Sequence, residues 1–174
     1  MVKIIDGDLI TRALNGSFDV IVHGCNCFCK QKSGLAERMV THFDTDKFDL
    51  EHKKLKGNIN KLGTIDYKLK YGKKHFVGLK ELYPIIVVNA YTQYMYADNH
   101  KGGVKNPLDY DALRLCLRKI NNIFKGKKIG LPQIGAGLAG GNWNVIKVII
   151  QEELKDCDVT IVYYNKKNES VFSD

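Results

Sequence analysis

No stretch of this sequence approaches the roughly twenty consecutive apolar residues that a membrane span needs. Residues 1–10 turn polar at Asp6 and lack the apolar centre of a signal peptide, so a cytoplasmic location is expected. Proline is scarce, three in 174 residues, and neither it nor the 16 glycines form a low-complexity tract. No repeat or linker interrupts the chain, and its length suits one self-sufficient core, so a single domain over 1–174 is expected. Five cysteines are too few and too crowded for a disulfide framework. Cys25, Cys27 and Cys29 sit too close together to pair well in a reducing compartment, and they read as free thiols. A zinc site needs a second, suitably spaced cysteine pair, which is missing, so neither metal nor cofactor is expected.

A negative balance is lacking too: the formal charge is +8. Three readings fit, namely nucleic-acid binding, a cleft that attracts a phosphorylated small molecule, or solvated lysines. The lysines are scattered, as at Lys53-Lys54, Lys73-Lys74, Lys127-Lys128 and Lys166-Lys167, and do not build one arm, which counts against nucleic acid.

What the chain does have is alternation of strand and helix patterns. Residues 2–5 and 18–22 are short runs rich in β-branched residues, each followed by glycine, and read as buried strands. From Gly34 onward, Leu35, Ala36, Met39, Val40 and Phe43 recur at helical spacing. Residues 62–67 alternate and are expected to pair with 75–77 as a hairpin around Gly72. After Tyr83-Pro84, the unbroken apolar run 85–90 suits a central strand covered on both faces. The spacing predicts helices over 109–124 and 143–154, and strands over 128–131 and 159–164. Such a chain makes an α/β layered sheet, whose ligands collect where strands end and helices begin. The loops at 24–34, 91–98 and 132–143 are therefore the candidates.

In the last of these, Gly135, Gly137, Gly140 and Gly141 lie among Ile134, Ala136, Leu138 and Ala139, leaving backbone amides as the main polar groups on offer. With a helix N-terminus beyond, this is a phosphate-cradle design, or else a set of tight turns. The GxGxxG spacing of a dinucleotide fold is present, but it should follow the first strand and here lies near the C-terminus. The first loop carries His23, Gly24, Cys25, Asn26, Ser33, Gly34, Leu35 and Ala36. His23 suits proton transfer or a structural hydrogen bond. Asn26 suits a ribose hydroxyl or the nearby backbone. After the first strand, Gly7, Asp8 and Leu9 offer an acceptor for an adenine amino group or a helix cap. The aromatic and amide-rich stretch Tyr91, Thr92, Gln93, Tyr94, Tyr96 can enclose a sugar or base, or fill a core.

Taken together, Gly7-Asp8-Leu9, the strand end from Val22 to Cys27, Asn89 to Gln93, and Pro132 to Gly140 with Trp143 resemble the macrodomain family in order and spacing over almost the whole chain. The nearest resemblance is to macrodomains that act as ADP-ribose-1''-phosphate phosphatases. It implies a three-layer α/β/α fold around a mixed sheet, with ADP-ribose across the carboxyl ends of the central strands. Adenine would meet Asp8 and Leu9, the diphosphate would lie between residues 33–36 and 134–140, and the distal ribose near Asn26. Gly24, Cys25, Thr92 and Gln93 would belong to the same binding set, with His23 and Asn26 as catalytic residues. The implied partners are ADP-ribose or ADP-ribose-1''-phosphate, with ADP-ribosylated macromolecules as a further class and no membrane. In a related subgroup that removes ADP-ribose from glutamate esters and DNA, a lysine and an acid do the work; here Gln93 and Ala139 stand in those places, so an imine mechanism lacks its amine. Ser33-Gly34 also replaces a run of three glycines. A non-catalytic reader of ADP-ribose and a hydrolase acting on modified protein or nucleic acid are the alternatives to the phosphatase.

Overall fold

The computed structural model of the chain describes residues 1–48, 56–71 and 83–164. Strand β1 (Lys3–Gly7) leads into α1 (Leu9–Leu14), and β2 (Val20–Asn26) into α2 (Gly34–Phe43). Next come β3 (Ile65–Tyr71) and β4 (Pro84–Gln93), then α3 (Tyr110–Ile123), β5 (Lys128–Leu131), α4 (Trp143–Glu153) and β6 (Asp158–Tyr164). The six strands form one sheet in the order β1-β6-β5-β2-β4-β3, parallel throughout except for β3, which runs antiparallel to β4. Five strands therefore bring their carboxyl ends to one edge.

Both faces of this sheet are apolar because side chains alternate across it. Val20, Val22, Val88, Leu131, Val159 and Ile161 pack with Leu113, Leu117 and Ile120 of α3 and Ile146, Ile149 and Ile150 of α4. On the opposite face Ile21, Ile85, Val87 and Val162 pack with Ile10 and Leu14 of α1 and Met39 and Phe43 of α2. The architecture is a three-layer α/β/α sandwich, as expected. Each fully buried aliphatic side chain contributes about 1.5–3 kcal/mol. The helix starts are set by side-chain caps: Asp8 accepts from Thr11 N at 2.8 Å, Asp109 from Ala112 N at 2.9 Å, and Asn142 from Asn144 N at 3.0 Å.

Three expectations change. The strand read at 18–22 starts at Val20, because Phe18 turns its ring beneath Gly130, where a Cβ would come within 2.7 Å of it. It then runs on to Asn26, so the sheet reaches further toward the first loop. The run at 85–90 is interior but lies next to the edge strand; β5 and β2 hold the middle. Residues 65–71 pair along β4, from Ile65 opposite Ala90 to Tyr71 opposite Pro84. The other half of the expected hairpin, 75–77, lies outside the described residues.

Candidate functional site

Where the five strands end, the 24–34 and 132–142 loops stand apart and leave a cleft of two lobes. A first lobe of about 340 Å³ is lined from His23, Gly24 and Asn26 through Thr92, Gln93 and Tyr96 to Gln133, Ile134 and Gly135. A second, of about 630 Å³, lies over Leu9, Arg38, Ala136, Val162 and Tyr164. Gly34, Leu35, Pro132, Gln133 and Gly137 line both, so the lobes meet at the narrow pass between the two loops. No aspartate, glutamate, lysine or arginine lines the first lobe among the described residues.

The wall from 132 to 142 is made by backbone. Gly141 N donates to Gly135 O at 2.8 Å, Gly140 N to Gly137 O at 3.0 Å, and Ala136 N to Gln133 O at 3.2 Å. Gly135 and Gly140 adopt left-handed backbone, φ 75° and 71°, which glycine takes without the steric cost of a Cβ. A Cβ on Gly141 would lie 2.7 Å from Gly135 O, so only glycine lets the loop fold back on itself.

The opposite wall is made by side chains. Asn26 is 6% exposed, and its Oδ1 accepts from Phe28 N and Lys30 N, both at 3.1 Å, while its Nδ2 donates to Lys30 O at 2.9 Å. The asparagine thus holds the turn of the loop as well as lining the lobe. Behind it, Asn89 Nδ2 donates to Thr45 O at 2.8 Å, which leaves Asn89 Oδ1 to accept from His23 Nε2 at 2.6 Å. That bond fixes the imidazole tautomer with its proton on Nε2. His23 Nδ1 has no hydrogen-bond partner. Burial lowers the His23 pKa to about 4, against the opposing pull of the Asn89 bond, so the ring is neutral at pH 7. Its side-chain bond to Asn89 is donated by Nε2, and Nδ1 is left as an unused acceptor.

The 91–98 stretch closes the first lobe. A bulge sets Cys25 opposite Tyr91 and Asn26 opposite Gln93, so Thr92 is the extra residue; it is fully buried and its Oγ1 has no partner. Gln93 Nε2 donates to Met95 O at 2.9 Å. Asn99 Nδ2 reaches across to Ser33 Oγ at 3.2 Å, and Lys30 Nζ stands 4.0 Å over the Tyr96 ring, so this loop is tied to the opposite wall.

Of the residues singled out from the sequence, the cleft brings together His23, Gly24, Asn26, Ser33, Gly34, Leu35, Ala36, Thr92, Gln93, Ile134, Gly135, Gly137, Leu138 and Ala139 in the first lobe, and Leu9 and Ala136 in the second. Gly7, Asp8, Cys25 and Gly140 are not on its walls. Gly7 backs onto Arg12. Gly140 packs against Asn106. Cys25 points into a core with Cys27 and Tyr91, where burial raises its pKa well above the ordinary thiol value. Asp8 caps α1, and its Oδ2 lies 2.6 Å from Arg38 Nη2. No disulfide joins any of the five cysteines. Sequence reasoning missed Arg38, Gln133, Asn99, His100, Val162 and Tyr164. Arg38 falls one helical turn beyond the loop residues Gly34 and Leu35, and Val162 and Tyr164 end a strand, so spacing and the strand-end rule held a signal for both. Asn99 and His100 arrive through an irregular loop that carries none.

The three-layer sandwich, with its cleft across the strand ends, has the macrodomain fold, as comparison with solved structures shows. The macrodomain of Thermus aquaticus DarG superposes with a TM-score of 0.63 at 20% identity, covering 95% of this chain and 98% of that one. The Trypanosoma brucei macrodomain in complex with ADP-ribose superposes with a TM-score of 0.59 at 16% identity, over 98% of this chain and 66% of that one. No protein-family model matches. The chain belongs to the family of the uncharacterized 17.5 kDa protein in the tk-vs intergenic region of Enterobacteria phage T4, with 30% identity over 170 residues, 93% of this chain and 96% of the relative.

Proposed function

We propose that the cleft binds ADP-ribose and that the protein releases phosphate from ADP-ribose-1''-phosphate. The observation that carries the binding reading is the pass between the lobes. It lies between the N-terminal end of α2 at Gly34-Leu35 and the glycine wall at Gly137, where a diphosphate meets amides and a helix-end field. The T. brucei macrodomain holds ADP-ribose on the same fold. The distal ribose then occupies the first lobe, near Asn26 and Gln93. There, water attacks the terminal phosphorus, the bond from phosphorus to the ribose 1''-oxygen breaks, and that oxygen regains a proton. The neutral His23, held by Asn89 beside the lobe, assists the proton transfer from the attacking water. Amide donors around the phosphate stabilise the charge that develops.

Among the described residues no carboxylate or amine lines the first lobe, which favours a second reading, a module that binds ADP-ribose without turning it over. Calorimetric titration with ADP-ribose, followed by a phosphate-release assay on ADP-ribose-1''-phosphate, decides between them. Binding with release is the expected result, and His23→Ala should lower the release rate about 100-fold, the low end of what a positioned proton-transfer group contributes. Binding without release leaves the second reading. Absence of binding removes both.

A further inference from the structure

Away from the cleft, the edge of the sheet at β3 carries features that the phosphate chemistry leaves unused. Strand β3 is last in the sheet order, so among the described residues only β4 pairs with it. Two bonds of β4 show which backbone groups of β3 face outward. Tyr91 N donates to Thr64 O at 3.0 Å, while Ile86 N donates to Asp19 O, just ahead of β2, at 3.1 Å. Odd-numbered residues of β4 therefore turn to β3 and even-numbered ones to β2. With Asp66 opposite Asn89, the N–H and C=O groups of Asp66, Lys68 and Lys70 point at β4, and those of Ile65, Tyr67, Leu69 and Tyr71 at the open edge. Side chains of the same strand divide by face. Tyr67, Leu69 and Tyr71 lie on the α3 side and are 46%, 60% and 61% exposed, with the Tyr67 ring edge-on to Phe124 at 5.1 Å. Leu115, which packs over Gly63 just ahead of the strand, and Ile123, next to Phe124, are about half exposed and widen this apolar stripe. Lys68 and Lys70 lie on the other face, over the Phe48 ring.

We propose that a second copy of this chain pairs along this edge, β3 antiparallel to β3, about a two-fold axis at Tyr67. The stretch Ile65-Asp66-Tyr67-Lys68-Leu69 is complementary to itself when reversed. Tyr67 faces the partner's Tyr67, Ile65 faces the partner's Leu69, and Asp66 faces the partner's Lys68. The first two pairs join outward-turned residues, which exchange the hydrogen bonds that β3 leaves open. The pair of Asp66 with lysine falls at the intervening positions, where side chains stand closer and opposite charges stabilise. Asp66 is anchored within its own chain by Tyr91 Oη and by Lys61 Nζ at 3.6 Å, and its side chain stays 28% exposed. Charge selects this register over its neighbours. An axis at Lys68 sets two lysines opposite each other, and an axis at Leu69 sets Lys68 against the partner's Lys70. Because a two-fold axis through the sheet keeps each face on its own side, the two apolar stripes join into one covered surface. The +8 charge of each copy opposes association, but salt at about 0.15 M screens such repulsion beyond about 8 Å.

The test is sedimentation equilibrium of the full chain at physiological salt over a range of concentrations. The expected result is a reversible dimer that predominates at about 100 µM, as suits an interface at the small end of the stable range. Lys68→Glu sets an acid opposite Asp66 twice across the axis and should weaken the dimer about ten-fold or more. Where the natural chain is dilute enough to be monomeric, this variant should share its melting temperature, because Lys68 is exposed. Leu69→Pro removes a donor that faces the open edge, leaves the ladder to β4 whole, and should give a monomer. Should that variant fail to fold, Lys68→Glu alone decides. A natural chain that stays monomeric at every concentration overturns the proposal and leaves the edge to a partner of another kind. A dimer that Lys68→Glu does not weaken also overturns it, because the interface then lies elsewhere.

Discussion

The two walls of the cleft face each other yet are built on opposite principles. The 132–142 wall is shaped by hydrogen bonds of the chain to itself, and it stands because side chains are missing at Gly135, Gly140 and Gly141. The 24–34 wall is shaped by buried amides and an imidazole, Asn26, Asn89 and His23, whose polar atoms replace the water they have lost. The first should fail when an atom is added, the second when a polar atom is removed or a proton is supplied.

Gly141→Ala presses a methyl group against Gly135 O and Leu108. It should cost about 3 kcal/mol of stability, the upper range for overpacking, as read by urea denaturation. Next in size is a pH effect confined to the other wall. His23 is neutral when folded, with a pKa of about 4 against an unfolded value of 6.5. The unfolded chain therefore binds more protons between these values. The stability that neutral His23 contributes is complete above pH 6.5 and is lost as pH falls toward 4. Denaturation at pH 7 and pH 5 should differ by about 2 kcal/mol from this group, and His23→Gln should remove that part of the difference. Asn26→Ala leaves Phe28 N and Lys30 N without their acceptor and should cost about 1–2 kcal/mol, measured the same way. Smallest of all, Gly137→Ala should change stability by less than about 0.5 kcal/mol, because a Cβ there meets nothing within 4 Å. Since Gly137 lines both lobes, calorimetry should nevertheless show weaker ADP-ribose binding by that variant. A large stability loss at Gly137, or none at Gly141, would dissolve the contrast between the walls.

The same contrast explains what could be read from the sequence. Periodicity located α2 at 34–43 and α3 almost to the residue, because one buried face at 3.6-residue spacing is a local property. Strand ends were less legible. Whether β2 stops at Val22 or runs to Asn26 depends on Ala90 and Gln93 as partners, which lie about seventy residues away in the sequence. The glycine wall was legible because its composition and its position between strand and helix are local too. The roles of Asn26 and Asp8 stayed open between ligand and backbone because a polar side chain does not announce its partner; the structure supplies Lys30 for one and Arg38 for the other. Buried orphans such as Thr92 Oγ1 depend on a bulge that no spacing rule anticipates.

The pairing of β1 with β6 has a consequence for synthesis. The first strand to leave the ribosome finds its hydrogen-bonding neighbour, Thr160 opposite Lys3 through Tyr164 opposite Gly7, only after more than 150 further residues have been made. Until then the cluster of Leu9 and Ile10 lacks Val162, and the lobe lined by Leu9 and Val162 does not exist. So distant a contact is slow to close. The growing chain thus acquires its glycine wall before its second lobe, and the two-lobed cleft is complete only in the finished molecule.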